Sequence, residues 1–189
     1  MVEAGNNPFE KTKYDISAYS MEIKGDFDAF EGKEVSLGGR IVSRRIMGKA
    51  SFMDLRDSTD RIQLYVRRDD VGEEDYAAFK KWDIGDIIGI RGTVFRTQTG
   101  EISVHATHIE LLAKSLLPLP EKFHGLTNND LRFRQRYVDL IMNPNVKRNF
   151  TIRSQFIKYM RRYLDERRYI EVETPVLNTI AGGASARPF

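Results

Sequence analysis

The stretch KASFMDLRDSTDRIQLYV, Lys49 to Val66, brings an aromatic ring, an amide and several guanidinium groups into one short span. It reads as two strands around a polar turn, Asp57-Ser58-Thr59-Asp60. Side chains alternate across a strand, so Ser51, Met53 and Leu55 share one face and Ile62, Leu64 and Val66 another. The polar side then holds Phe52, Arg56, Arg61, Gln63 and Tyr65, with Arg44, Arg45 and Lys49 just upstream. An exposed ring can stack on an unpaired base. An amide can donate to and accept from a base edge, and guanidinium groups neutralise phosphates. That is the chemistry of single-stranded nucleic-acid binding. A second arrangement uses the same residues: Phe52 buried beneath an N-terminal helix, and the arginines a solvated surface. Alternation alone leaves both open.

Other candidate chemistry is sparse. His105, His108 and His124 show no metal-ligand spacing, and there is no cysteine to help them. His105 and His108 lie three apart in a strand, which puts them on opposite faces. The closing GGASARPF fits a simple turn or a glycine loop near an anion, and matches neither the P-loop nor the dinucleotide fingerprint. No Ser-His-Asp set or carboxylate pair can be assembled.

The elements that must position these residues follow from periodicity. Residues 1–33 form a polar lead-in and a short helix capped by Ser20, with Ile23, Phe27 and Phe30 as its apolar side. Val35, Leu37 and Ile41 mark a first strand, with a bulge expected at Gly38-Gly39. The stretch above supplies strands two and three. Gly72–Trp82 is acidic at its start and basic at its end, which suits a helix, with Tyr76, Phe79 and Trp82 inward. Asp86–Thr97 and Glu101–Leu112 are strands four and five, the last slipping register near His108. Five strands with one helix between the third and fourth is the order of a Greek-key barrel of the OB type, over residues 34–113.

Residues 114–126, with two prolines in KSLLPLPEKFH, read as a linker. From Thr127 the period becomes helical, opening a part that covers residues 127–189. A capping box at Thr127–Asp130 opens a helix over Arg132–Met142, and Asn143-Pro144 stops it. A longer helix over about Asn145–Arg168 carries an apolar stripe, Ile152, Phe156, Met160 and Leu164, and an arginine-rich outer face. Such a face is more often solvated than binding. Tyr169–Leu177 is strand-like, with Pro175 near its end. A glycine turn follows with no layer to pack on, as expected for the truncated start of a larger α+β domain.

The 189 residues carry 41% hydrophobic and 30% charged side chains, the balance of an ordinary globular chain. A net charge of only +3 means that any nucleic acid must be met by a local patch. The absence of cysteine excludes disulfides and suits a reducing, cytoplasmic setting. No apolar run resembles a signal peptide or a membrane span.

Taken in order, RRIMGKASF, RIQLYV, FKKWDIGD, LPEKFHGL, RFRQRYVDL, VETPVL and GGASARPF resemble the bacterial-type class II lysyl-tRNA synthetases, from about Gly39 to the end. Aspartyl and asparaginyl synthetases share the plan of a barrel before a catalytic domain. The combination of RRIMGKASF, KFHGL and GGASARPF is similar to the lysine enzymes. A lysyl-transferring paralogue that modifies elongation factor P lacks the barrel.

The resemblance implies that the barrel binds the uridine-rich anticodon of lysine tRNA. Phe52 would stack on the central uridine, Gln63 and Glu101 would hydrogen-bond its edge, and Arg44 and Arg45 would lie in the same region. It also implies that the long helix and the strand ending at Pro175 form a homodimer interface through Phe156, Met160 and Leu164. Gly182 would contact the amino group of lysine, with Gly183 and Ala184 shaping the pocket. The whole enzyme would activate L-lysine with ATP and Mg²⁺ and pass it to the tRNA 3′ end. Its catalytic, ATP-binding and metal-binding residues would lie beyond Phe189, so this stretch holds no catalytic residue and binds no cofactor. The competing expectation is a free-standing single-strand-binding OB module with a helical dimerisation tail.

Overall fold

A computed structural model describes residues 7–120 and 126–175. The chain divides into two compact units, Met1–Leu119 and Pro120–Phe189. In the first, two short helices, α1 (Ser20–Gly25) and α2 (Phe27–Phe30), precede strands β1 (Glu34–Met47), β2 (Ala50–Arg56) and β3 (Arg61–Arg67). Two more helices follow, α3 (Arg68–Val71) and α4 (Glu73–Phe79), and then strands β4 (Ile87–Arg96) and β5 (Ile102–Ala113). The strands close a barrel in the order β1-β2-β3-β5-β4, with β4 returning to β1. Every pair is antiparallel except β3–β5, which is parallel.

Alternation decides what fills the barrel. Ser51, Met53 and Leu55 of β2 and Ile62, Leu64 and Val66 of β3 are all buried, and their neighbours are not. Each large aliphatic side chain so buried contributes about 1.5–3 kcal/mol, so the inward set holds the register. Tyr76, Phe79 and Trp82 of the helical insertion join the same core, as the sequence predicts. Asp86 is fully buried at the start of β4. It accepts hydrogen bonds from the Lys114 ammonium (2.9 Å) and the Ser115 N–H (2.8 Å), which tie the end of β5 to the root of β4.

Several local details differ from expectation. Gly38 and Gly39 are not bulged; they pair regularly with Gly89 and Ile88. The register slips beyond them, between Ile41 and Ser43. The glycines answer close approach instead. A Cβ on Gly39 would sit 2.6 Å from the Arg56 carbonyl oxygen, and one on Gly89 would strike the Tyr14 ring at 2.5 Å. Tyr14 therefore lies across a glycine floor, and Ser17 exchanges hydrogen bonds with Ser36 of β1. The lead-in, though irregular, is fastened to the barrel.

Ser20 is the first helical residue, not the cap; that position belongs to Tyr19, whose N–H donates to the Glu22 carboxylate (2.8 Å). The Ser20 N–H donates instead to Asp57 (2.6 Å), which also accepts from the N–H groups of Thr59 and Asp60. Burial alone would raise the Asp57 pKa, but these hydrogen bonds outweigh it and hold the group below the usual carboxylate value.

The β5 slip falls at Thr107, beside His108 as expected. Its consequence was not foreseen. The extra residue restores the outward direction, so His105 and His108 share the outer face, opposite Thr93 and Arg91, rather than taking opposite faces.

The second unit contains α5 (Asn129–Arg134), α6 (Arg136–Met142) and α7 (Pro144–Asp165). The cap of α5 is the Asn128 side chain, which accepts the Leu131 N–H at 3.1 Å, rather than a box on Thr127. One expected helix is two, because Gln135 leaves helical dihedrals (φ −110°, ψ 56°). Asp139 is fully buried among Arg132, Arg136 and Asn143. Burial pushes its pKa up, but hydrogen bonds from Asn143 and Arg132 and the two guanidinium charges hold it below the usual range. Pro144 opens α7 at its first turn, where a missing N–H costs nothing. The helix ends at Asp165, short of Arg168. Tyr169–Pro175 forms no strand, since a strand needs a ladder and the described residues offer it no partner.

Among the described residues Gly92 is the tightest glycine: a Cβ there would lie 2.1 Å from the His105 carbonyl oxygen, a backbone atom that cannot swing away. Gly92→Ala is expected to lower stability by at least about 1–3 kcal/mol. Gly25→Ala, with nothing within 4 Å of its Cβ, should be neutral or stabilising by up to about 1 kcal/mol. Thermal unfolding of the two variants checks the contrast; equal effects would contradict the packing.

Candidate nucleic-acid interface

The outer face of β2 and β3 is built from cross-strand pairs: Phe52 opposite Tyr65, Asp54 opposite Gln63, Arg56 opposite Arg61. The Phe52 and Tyr65 rings lie 4.9 Å apart, tilted by 35°. The parallel β3–β5 ladder then sets Ser103 beside Gln63 and His105 beside Tyr65. On β4, Phe95 pairs with Ser103. The result is a continuous aromatic patch. His105 lies 5.3 Å and Phe95 6.3 Å from the Tyr65 ring. His105 is held by Asp70, whose carboxylate stands 2.7 Å from Nε2.

The alternative burial of Phe52 is not what the structure shows. Phe27 is buried in the barrel core with Phe30 packed against it, and the Arg96 guanidinium lies 4.4 Å over the Phe27 ring. Phe52 makes its ring contact with Tyr65 and remains half-buried on the outer face.

Around the rings stand groups that can read or repel. The Gln63 Oε1 accepts a hydrogen bond from the buried Ser103 hydroxyl at 3.0 Å. Glu101 is exposed in the β4–β5 turn, where Gly100 (φ 88°) and two bonds to Thr97 fix its backbone. Asp54 accepts from the Ser43 hydroxyl (2.6 Å) and pairs with Arg61 at 3.6 Å.

Arg44 and Arg45 separate. Arg45 pairs with Phe52 and shares its face. Arg44 pairs with the core residue Met53, and its guanidinium reaches the Lys80 carbonyl beyond α4 (3.3 Å). Phe52, Gln63 and Arg45 thus come together with Glu101 at the adjoining turn, and Arg44 stands apart. Alternation places Tyr65 on the face with Phe52, but assigns no role there to Phe95, His105 or Ser103. The alternation of β4 and β5 would have put the last three on the outer face, but only the parallel pairing puts them beside Phe52 and Gln63.

In the second unit, Phe156 (60% exposed), Met160 (45%) and Leu164 (45%) lie uncovered along α7, and Pro175 is also exposed. Gly182 lies outside the described residues. Among the described residues no three His, Asp or Glu side chains gather to hold a metal ion, and no helix is long and apolar enough to cross a membrane.

Comparison with known proteins meets this geometry. The OB-fold nucleic acid binding domain family matches residues 35–112, and the family of class II tRNA synthetases (D, K and N) matches residues 128–189. The chain is similar to the lysine–tRNA ligase of Clostridium tetani (strain Massachusetts / E88), with 56% identity over 185 residues, 98% of this chain and 37% of that one. The corresponding ligase of Clostridium novyi (strain NT) is 54% identical over 187 residues, 99% of this chain and 37% of that one. That of Thermoanaerobacter sp. (strain X514) is 55% identical over 185 residues, 98% and 37% of the two chains. The chain therefore spans 37% of the length of these relatives.

Because Phe52 lies on the outer face, truncating it should cost little stability. Phe52→Ala is expected to lose about 0.5–1.5 kcal/mol, the worth of an aromatic pair. Leu64→Ala, from the opposite face of the same sheet, should lose about 2–5 kcal/mol. Denaturant titration of both variants decides; equal losses would make Phe52 a core residue.

Proposed function

Since the chain belongs, over the residues it covers, to the class II lysyl-tRNA synthetase family, we propose that its barrel reads the uridine-rich anticodon of lysine tRNA. The supporting observation is the open face on which Phe52, Gln63 and Arg45 meet Glu101. In this reading Phe52 stacks on the central uridine. Gln63 and Glu101 bond its edge, Glu101 accepting the uracil N3–H. A carboxylate there disfavours cytosine, whose N3 is itself an acceptor. Arg45 neutralises a neighbouring phosphate, and Arg44 serves the same region from the other side of β1.

The activity proposed for the whole protein is lysine–tRNA ligation in the cytoplasm: L-lysine is joined to AMP from ATP with release of pyrophosphate, then passed to the tRNA with release of AMP, and Mg²⁺ when bound would neutralise phosphate charge. Among the described residues no three His, Asp or Glu side chains gather as a metal site. Gly182 is proposed to contact the lysine amino group. The exposed stripe Phe156, Met160 and Leu164, continued to Pro175, is proposed as a homodimer interface, since apolar rows of this kind mark association surfaces.

Binding to a hairpin RNA with a UUU loop tests the first proposal. Phe52→Ala should weaken it by about 1–3 kcal/mol, while Gln63→Ala and Glu101→Ala should narrow the preference for uridine over cytidine at the central position. Unchanged binding and preference in all three would refute it. For the second, sedimentation of the full chain should show a dimer that Phe156→Asp dissociates; a monomer at every concentration would count against the interface.

A further inference from the structure

The Gln63 amide carries an acceptor on one side and donors on the other, so its use as a base reader depends on which side faces out. The parallel ladder sets Ser103 beside it. Ser103 is fully buried, so its hydroxyl has no water to bond and must donate within the protein. Two acceptors lie within reach, the Gln63 Oε1 at 3.0 Å and the Glu101 carbonyl oxygen at 3.4 Å. Only the first falls within the usual O–H···O range, about 2.5–3.0 Å. With the amide reversed, Nε2 would face the hydroxyl, and its proton would be left with the long contact alone.

We propose that Ser103 is a positioning residue: it locks the Gln63 carboxamide with Oε1 inward, so that Nε2 meets a base only as a donor. The proposal rests on the reading of this face as a base-binding site. Consider a pyrimidine stacked on Phe52 with its 4-substituent toward Gln63 and N3 toward Glu101. Uracil offers a carbonyl to the amide and an N–H to the carboxylate. Cytosine reverses both, setting an amino group against Nε2 and a ring nitrogen against the carboxylate. A free amide could turn over and accept the cytosine amino group, recovering one of the two bonds. A locked amide cannot.

The full chain is titrated with hairpin RNAs whose loops read UUU and UCU. Ser103→Ala should lower the preference for UUU about 3- to 10-fold, chiefly by tighter binding of UCU, with thermal unfolding unchanged. Ser103→Cys keeps the branching with a somewhat larger atom and has only a weak S–H donor, and should lower the preference in the same direction; it carries the test if the alanine variant does not fold. The preference is the diagnostic readout, because a purely structural role would weaken both RNAs alike. An unchanged preference in the folded variants, while Gln63→Ala still lowers it, would overturn the role of Ser103 alone. If Gln63→Ala also leaves the preference unchanged, the base-reading face falls with it.

Discussion

The parallel pairing of β3 with β5 is the constraint on which the rest of the first unit depends. The other strand pairs are antiparallel. This one joins the β1–β2–β3 meander to the β4–β5 hairpin and removes the open edge each would leave. It also places Ser103 and His105 against Gln63 and Tyr65, and brings the β4–β5 turn with Glu101 to the edge of the same face. Its register is set from inside. Leu64 and Val104 sit opposite each other and are fully buried. A slip by one residue would turn them outward and drive Gln63 and Tyr65 into the core. The packing of the barrel thus determines the geometry of its surface.

As a proposed base-binding face, that surface is suited to selection more than to bulk attraction. Arg61 is engaged by Asp54, and Arg67 by Asp69 and Asp70. Arg45 stays exposed opposite Phe52, and Lys49 is exposed in the turn between β1 and β2. A carboxylate in the adjoining turn opposes phosphate generally, and is compensated only where a base presents an N–H to it. In the proposed reading the aromatic patch supplies sequence-tolerant stacking, while the amide and the carboxylate supply the discrimination. This division agrees with a chain whose net charge is only +3.

Much of this was legible in the sequence because alternation is a local signal. Phe52 against Met53 and Gln63 against Leu64 needed only a period of two. The five strands and their intervening helix needed only turn residues and periodicity. What escaped depends on contacts between distant segments. The glycines of β1 looked like a bulge, but they answer Tyr14 and the Arg56 carbonyl, which lie far away in the chain. Strict alternation puts His105 and His108 on opposite faces, but one inserted residue, Thr107, changes the count and brings them to the same one. Ser103 has no signature of its own; the role proposed for it exists only once β3 lies parallel to β5. In the second unit the stripe on α7 was plain, whereas the strand expected after it requires a ladder that the described residues do not supply.

The most direct test of the central claim is the amide NMR spectrum of the 189-residue chain titrated with a UUU-loop hairpin RNA. If this face binds the RNA, the largest shift changes cluster on β2, β3 and the β4–β5 turn, at Phe52, Gln63, Glu101 and their neighbours. A spectrum in which those resonances stay still, while others such as the arginine-rich face of α7 move, would contradict it.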